Sequence, residues 1–247
     1  MKGVSAEIFK RSLLALGESS FSRLSSAKVA VLGVGGVGGW CAESLVRAGV
    51  GKIMIVDPDR VAPSNINRQI VATTETVGEL KVNVLEKRLL AINPNLEMDV
   101  RAAAYTGERA GEFDFSPYDS VIDAIDSLDD KAHLIRHVTG MEGPVFFSSM
   151  GAAFRTDPFA IRKDEFWKVK GDGLARALRS RFRKSGDFPR RKFTCVYSSE
   201  APLEPEDMPF TEEARAYGSL PHVTASFGFA LAALAVNAIV GKKSSDA

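Results

Sequence analysis

Cysteine, histidine and tryptophan are scarce, with two, three and two copies in 247 residues. Cys41 and Cys195 cannot build a disulfide framework, and they fall short of a four-cysteine zinc site. A reducing compartment is the simpler reading. Neither charge dominates: 32 Lys and Arg face 31 Asp and Glu, and a net +1 names no class of partner. The N-terminus, MKGVSAEIFKRSLLALGESS, has no long apolar run and no small-residue cleavage site, so no signal peptide is expected. A single stretch, Val223 to Val240, approaches the length of a membrane span. Thr224, Ser226, Gly228, Asn237 and its many alanines favour a buried core helix, and no stable membrane insertion is expected. No repeat or low-complexity segment stands out. What remains is an ordinary globular composition, 45% hydrophobic and 26% charged. The length suits one α/β domain with insertions, or at most two small domains.

Short apolar runs alternate with helical spacing along the chain. Strands are expected at 28–33, 52–57, 96–105, 119–126 and 144–151, and helices at 40–48, 78–94 and 131–139. A helical arm over 5–26 precedes them. This order predicts a doubly wound, Rossmann-like, mostly parallel sheet with right-handed crossovers. We read one domain in four parts: arm 1–27, nucleotide-binding core 28–160, basic insertion or extension with an acidic loop 161–217, and C-terminal helix 218–247. Ligands bind such sheets beyond the carboxyl ends of the strands. Gly33, Asp57, Asp126 and Ser149 fall at those ends.

The run Gly33-Val34-Gly35-Gly36-Val37-Gly38 fits G-x-G-x-x-G between a strand and a helix. Glycines allow the tight turn and close approach to a phosphate, and the helix start offers free N–H groups. Asp57 can accept hydrogen bonds from a ribose. The loop alone does not choose the nucleotide. The next stretch, DPDRVAPSNINRQIVATTETVGELK, suits a triphosphate better than a dinucleotide. Arg68 and Lys81 can neutralise charge on a leaving pyrophosphate, Asn65 and Gln69 add neutral donors, and Asp126 can hold Mg²⁺. Each could equally be an ordinary surface charge or a helix cap; their joint order is what argues for ATP. His133, His137 and His222 are scattered. The first two are four apart on a helix without an evident third ligand, which favours packing or solvation over metal.

Between 162 and 192 the chain carries twelve Lys or Arg and four acids, a local excess of +8. A tRNA backbone cradle and a solvated charged face both fit. Arg176, Arg179 and Arg183 would share one helical face, while Phe182 and Trp167 are expected to pack. Residues 199–213 form a Pro-rich acidic loop.

The motifs GVGGVGGW, DPDRVAPSNINRQ, VGELK and DAIDS resemble the adenylating superfamily of ubiquitin-activating enzymes and their bacterial relatives in molybdopterin and thiamin synthesis. RSLLALG, CVYSSEAP and GSLPHVTASFGF are similar to the branch that dehydrates threonylcarbamoyladenosine on tRNA. The resemblance covers nearly the whole chain. It implies adenylation of the nucleoside's carboxylate by ATP, then ring closure, in a cytoplasmic homodimer. By the same resemblance, the Gly33–Gly38 loop (Gly33, Gly35, Gly36, Val37, Gly38) and Asp57 would seat adenosine and ribose. Asn65, Arg68 and Lys81 would hold phosphates and Asp126 magnesium. Arg11 would reach into the neighbouring subunit's site. The two CxxC zinc pairs of the molybdopterin and thiamin branches are missing. Cys195 sits in a strand-like Thr-Cys-Val-Tyr setting, so a structural or substrate-loop role is expected rather than a thioester. Cys41 is expected in the core. A sulfur-transfer protein docking at Cys195 stays open as a partner. The rival readings are adenylation of a ubiquitin-like sulfur carrier, a nicotinamide-dependent oxidoreductase and a non-catalytic nucleotide-binding module.

Overall fold

The computed structural model describes residues 7–203 and 218–241. Most of the expected acidic loop lies outside the described residues, as do both chain ends. The elements in order are α1 (Lys10–Leu16), α2 (Glu18–Ser26), β1 (Lys28–Leu32), α3 (Gly38–Ala48), β2 (Lys52–Val56), α4 (Lys81–Ile92), β3 (Glu97–Arg101), β4 (Ser120–Asp123), α5 (Leu128–Thr139), β5 (Val145–Ser149), β6 (Ile161–Glu165), α6 (Gly173–Ser185), β7 (Thr194–Ser198) and α7 (Pro221–Val240).

Seven strands form one sheet in the order β3-β2-β1-β4-β5-β7-β6. All neighbours are parallel except β6, which runs antiparallel to β7 at the edge. The central strands are unbroken apolar runs because both faces are covered. In β1, Val29 and Val31 belong to one hydrophobic cluster and Ala30 and Leu32 to the other. The strand order reverses between β1 and β4. That reversal opens a crevice at the carboxyl edge, where doubly wound folds bind ligands.

Three expectations about the elements change. The N-terminal arm is two helices, separated at Gly17 (φ 78°), and the second is anchored by the buried side chain of Leu24. The strand expected over 119–126 ends at Asp123, so Asp126 lies three residues beyond it. The basic segment is the extension rather than the insertion: β6, α6 and β7 complete the sheet. α7 is long and apolar enough to cross a membrane by length and composition. It is built into the core instead, burying Val223, Phe227, Leu231 and Ala235. Trp40 of α3 meets Phe229 of α7 edge-on at 5.9 Å between centroids.

Candidate nucleotide and substrate site

The glycine loop follows β1 at the reversal point. Gly33 holds φ 85°, and a Cβ there would lie 2.6 Å from the Ala124 carbonyl oxygen after β4. At Gly38 a Cβ would lie 1.8 Å from the Gly33 carbonyl oxygen. Neither position admits a side chain, so the turn closes tightly and α3 starts directly beneath it. This is the cradle a phosphate needs.

Asp57, directly after β2, is buried and braces that cradle. One carboxylate oxygen accepts from the Val34 amide at 2.8 Å, and the other from the Asp59 amide at 2.9 Å. Burial pushes the Asp57 carboxyl up; the Lys81 ammonium and the two amides oppose that. Each oxygen keeps a lone pair for a ribose hydroxyl, but Asp57 is already structural. Lys81, at the start of α4, is also buried. Its Nζ lies 2.7 Å from Asp59 Oδ2 and 3.9 Å from Asp57 Oδ1. Lys81 thus ties the end of β2 to α4 and places positive charge beside the loop. A Lys81→Ala change would disturb folding as well as binding.

The 63–69 segment crosses over the loop. Asn65 Oδ1 accepts from the Ala62 amide at 3.1 Å, which caps the short turn. A Cβ at Gly36 would meet Arg68 Cγ at 3.3 Å, and one at Gly35 would meet Gln69 Nε2 at 3.6 Å. Arg68 Nη1 donates to Ser64 O and Asn67 Oδ1, both at 2.9 Å. Gln69 is buried, and its Oε1 has no hydrogen-bond partner. The segment is pinned on two sides: Trp40 Nε1 donates to Arg68 O at 3.1 Å, and Asn67 Nδ2 to Ser219 O at 2.9 Å. The structure thus brings Arg68, Gln69, Asp57 and Lys81 together around the loop, through backbone pinning that the sequence did not announce. An orphaned Gln69 carbonyl beside a loop closed to side chains fits a nucleotide.

Asp126 is exposed on the Ala124–Ser127 turn. Among the described residues, no group of three or more His, Cys, Asp or Glu could hold a metal ion. A magnesium here would need phosphate and water oxygens besides Asp126, the usual arrangement for that ion. The acid that ends β4 is Asp123, in a network the sequence reading missed. Lys131 is fully buried with Nζ 3.0 Å from Asp123 Oδ2, and it donates to Ile125 O at 2.9 Å. Ser148 Oγ donates to Asp123 Oδ2 at 2.6 Å, and Asp123 Oδ1 accepts from the Ile125 amide at 3.1 Å. This network fixes, from inside, the turn that meets Gly33 and carries Asp126. The repeated acids of DAIDSLDDK are the one signal in the sequence for that buried network.

Cys195 lies in β7, buried, and burial pushes its thiol well up. A thiolate nucleophile is disfavoured there. Cys41 is a core residue of α3. His133 and His137 both turn Nδ1 toward the Tyr105 hydroxyl at 2.9 Å, a packing network rather than a ligand set. Arg11 is exposed on α1. In the basic segment, Phe182 is buried, and Trp167 packs on Phe166 and Phe188. Arg176 and Arg183 are exposed. Arg179 is not free: it donates to Phe166 O at 3.1 Å, with its guanidinium 5.8 Å over the Phe166 ring.

Fold and crevice define a nucleotide-binding, doubly wound α/β protein with Arg68 and Lys81 beside the glycine loop. The chain belongs to the ThiF family, whose signature spans residues 9–247. It is 39% identical over 195 residues to the tRNA threonylcarbamoyladenosine dehydratase of Bacillus subtilis, covering 79% of this chain and 76% of that one. The crystal structure of the Escherichia coli tRNA N6-threonylcarbamoyladenosine dehydratase in complex with ATP matches with a TM-score of 0.86 at 32% identity, over 96% of this chain and 95% of that one. Its complex with AMP gives the same score. The sulfur carrier protein adenylyltransferase of Thermus thermophilus is 43% identical over 113 residues, which span 46% of this chain.

Proposed function

We infer that this chain is an ATP-dependent enzyme that dehydrates threonylcarbamoyladenosine beside the tRNA anticodon. The observation that carries the reading is the glycine loop, closed to side chains at Gly33 and Gly38 and braced by Asp57, with Arg68 and Gln69 against its outer side. The substrate carboxylate attacks the α-phosphorus of ATP and forms an acyl-adenylate, releasing pyrophosphate. A nitrogen of the same side chain then attacks the activated carbonyl and gives up its proton, and AMP leaves as the five-membered ring closes. Both reacting groups sit on one bound molecule, so the effective molarity is high and no protein nucleophile is required. The inert setting of Cys195 agrees with that. Arg68 and Lys81 supply positive charge toward the phosphates.

Magnesium is assigned to Asp126, where it would screen phosphate charge. The assembly is a homodimer in which Arg11 completes the neighbouring subunit's site. Arg176 and Arg183 meet tRNA phosphates, and the enzyme works in the cytoplasm. A sulfur-transfer protein is a partner only if one binds near β7. The sulfur-carrier reading draws on a match over less than half the chain, and the zinc cysteines of that chemistry are missing.

The test incubates the purified protein with ATP, Mg²⁺ and tRNA bearing threonylcarbamoyladenosine, followed by digestion and mass spectrometry of the nucleosides. A nucleoside lighter by one water, formed only with ATP, is expected. An unchanged nucleoside from a folded protein that binds ATP would overturn the reading.

A further inference from the structure

One buried cation belongs neither to the glycine loop nor to the Asp123 network. Arg155 is 3% exposed, and its Nε and Nη1 are buried without a hydrogen-bond partner. A guanidinium taken out of water without partners is costly, and arginines in such positions ordinarily hold an acid. The acid whose field it shares, Glu200, is committed elsewhere. Its carboxylate accepts from the Thr156 amide and hydroxyl and from the Asp157 amide, at 2.9–3.1 Å.

The place of Arg155 in the fold points to a ligand. It follows β5 at the carboxyl edge of the sheet, on the segment that crosses to β6. The preceding residue, Phe154, holds φ 57°, in the left-handed region that costs a bulky side chain energy. Both of its backbone groups are clamped: its amide donates to Gly218 O, and its carbonyl accepts from the Leu203 amide, each at 2.8 Å. The carbonyl of the following residue, Thr156, accepts from His222 Nε2 in the first turn of α7, at 2.9 Å. Two residues further along that turn, Thr224 is 3.4 Å from where a Cβ on Gly36 would sit. Two residues are about 3 Å along a helix axis. The segment that carries Arg155 and the glycine loop therefore both lie against the first turn of α7.

We infer that Arg155 receives the carboxylate of the substrate nucleoside and presents it to the nucleotide; this rests on the activity given under Proposed function. Arg68 and Lys81 already lie on the phosphate side, so the vacant guanidinium serves the other reactant. Its depth selects among anions. A backbone phosphate of folded tRNA stays at the surface and cannot reach a side chain this buried. A carboxylate at the end of a flexible threonyl group can, and the planar fork of arginine matches it with two hydrogen bonds.

The test uses filter binding without ATP to two forms of one tRNA, with and without threonylcarbamoyladenosine. The wild type should prefer the modified form. Arg155→Ala should erase that preference, a loss of about 10–100-fold for one charge-assisted contact. Arg155→Lys should restore part of it, while binding of unmodified tRNA and the thermal shift with ATP stay at wild-type values. Retained preference in Arg155→Ala would overturn the inference, as would equal weakening of both tRNAs with a shallower salt dependence, which marks a phosphate contact. A lost ATP shift would assign the residue to the nucleotide and overturn it too. A second measurement needs no variant: the free nucleoside threonylcarbamoyladenosine should stabilise the wild type thermally, and its methyl ester should not. Equal shifts would overturn the inference even if every Arg155 variant misfolds. A wild type that cyclises no tRNA would refute the activity itself, which is a separate outcome.

Discussion

Gly35→Ala separates a loop that is merely tight from a loop that receives phosphate. A methyl built on Gly35 meets nothing closer than Gln69 Nε2 at 3.6 Å, an ordinary contact, and its φ is not positive. Folding should therefore tolerate it; such a change even stabilises by about 0.4–1 kcal/mol through the unfolded chain. The same methyl lies between the loop and Gln69, where a phosphate would have to come close. With ATP at about 100 times its dissociation constant, the wild type should gain about 2.7 kcal/mol. For a chain of this size that raises Tm by about 5–11 °C. If the methyl weakens ATP 100-fold, the same concentration only half fills the site, and the gain falls to about 0.4 kcal/mol, or about 1 °C. Differential scanning fluorimetry with and without ATP and Mg²⁺ reads both numbers. Gly38→Ala is the control. Its methyl would sit 1.8 Å from Gly33 O, so it should lower Tm before any ligand is added. A Gly35→Ala protein with the full ATP shift would refute the cradle. A wild type that NAD stabilises as much as ATP does would refute the choice of nucleotide.

Lys131→Met should cost about 3–5 kcal/mol in urea denaturation, because it strands a fully buried Asp123; a change within about 0.5 kcal/mol would mean the pair does not hold the 124–127 turn. Arg11→Ala and Asp126→Ala should each be inactive, yet regain turnover when mixed under verified subunit exchange, since one hybrid site keeps both residues; no recovery would count against a shared site. Arg176→Ala with Arg183→Ala should weaken tRNA binding and lower the slope of log affinity against log salt by up to about 0.9 per lost phosphate contact, with ATP binding unchanged. An unchanged slope would leave these arginines as solvated surface.

The fold was legible because its strands are buried on both faces. KVAVL, KIMIV and SVID read as unbroken apolar or nearly apolar runs, and each is followed by a residue of the crevice. The glycine loop was legible for a related reason: close approach leaves glycine as the only fit, so the constraint is written in the residue itself. Strand ends were harder. DSVIDAID holds two acids after its first residue pair, and periodicity does not say at which one the chain leaves the sheet. The hydrogen bonds do, by burying Asp123 against Lys131 and Ser148 and leaving Asp126 outside. Arg155 was invisible for another reason. Its environment is assembled from Glu200, Leu203, Gly218 and His222, which are distant in sequence, and a charge in a polar stretch looks exposed until its neighbours are placed.

The basic segment makes the same point about charge. Its excess of +8 suggests a cradle, but composition counts every cation alike. Several are spent on the protein. Arg162 donates to Phe159 O, Arg179 to Phe166 O and Arg191 to Val138 O and Pro144 O, while Arg181 pairs with Asp129 at 2.9 Å. What is left for a partner on α6 is narrower: Arg176, Arg183 and the adjacent Lys184, all exposed, with the two arginines seven residues and about 10 Å apart along the helix. Exposed arginines at that spacing suit phosphates along a backbone, with modest and salt-sensitive contacts. A buried, unpaired arginine such as Arg155 suits one small acid, with a contact that salt barely screens. If tRNA is the substrate, salt should therefore weaken its overall binding while leaving the preference for the modified nucleoside nearly unchanged.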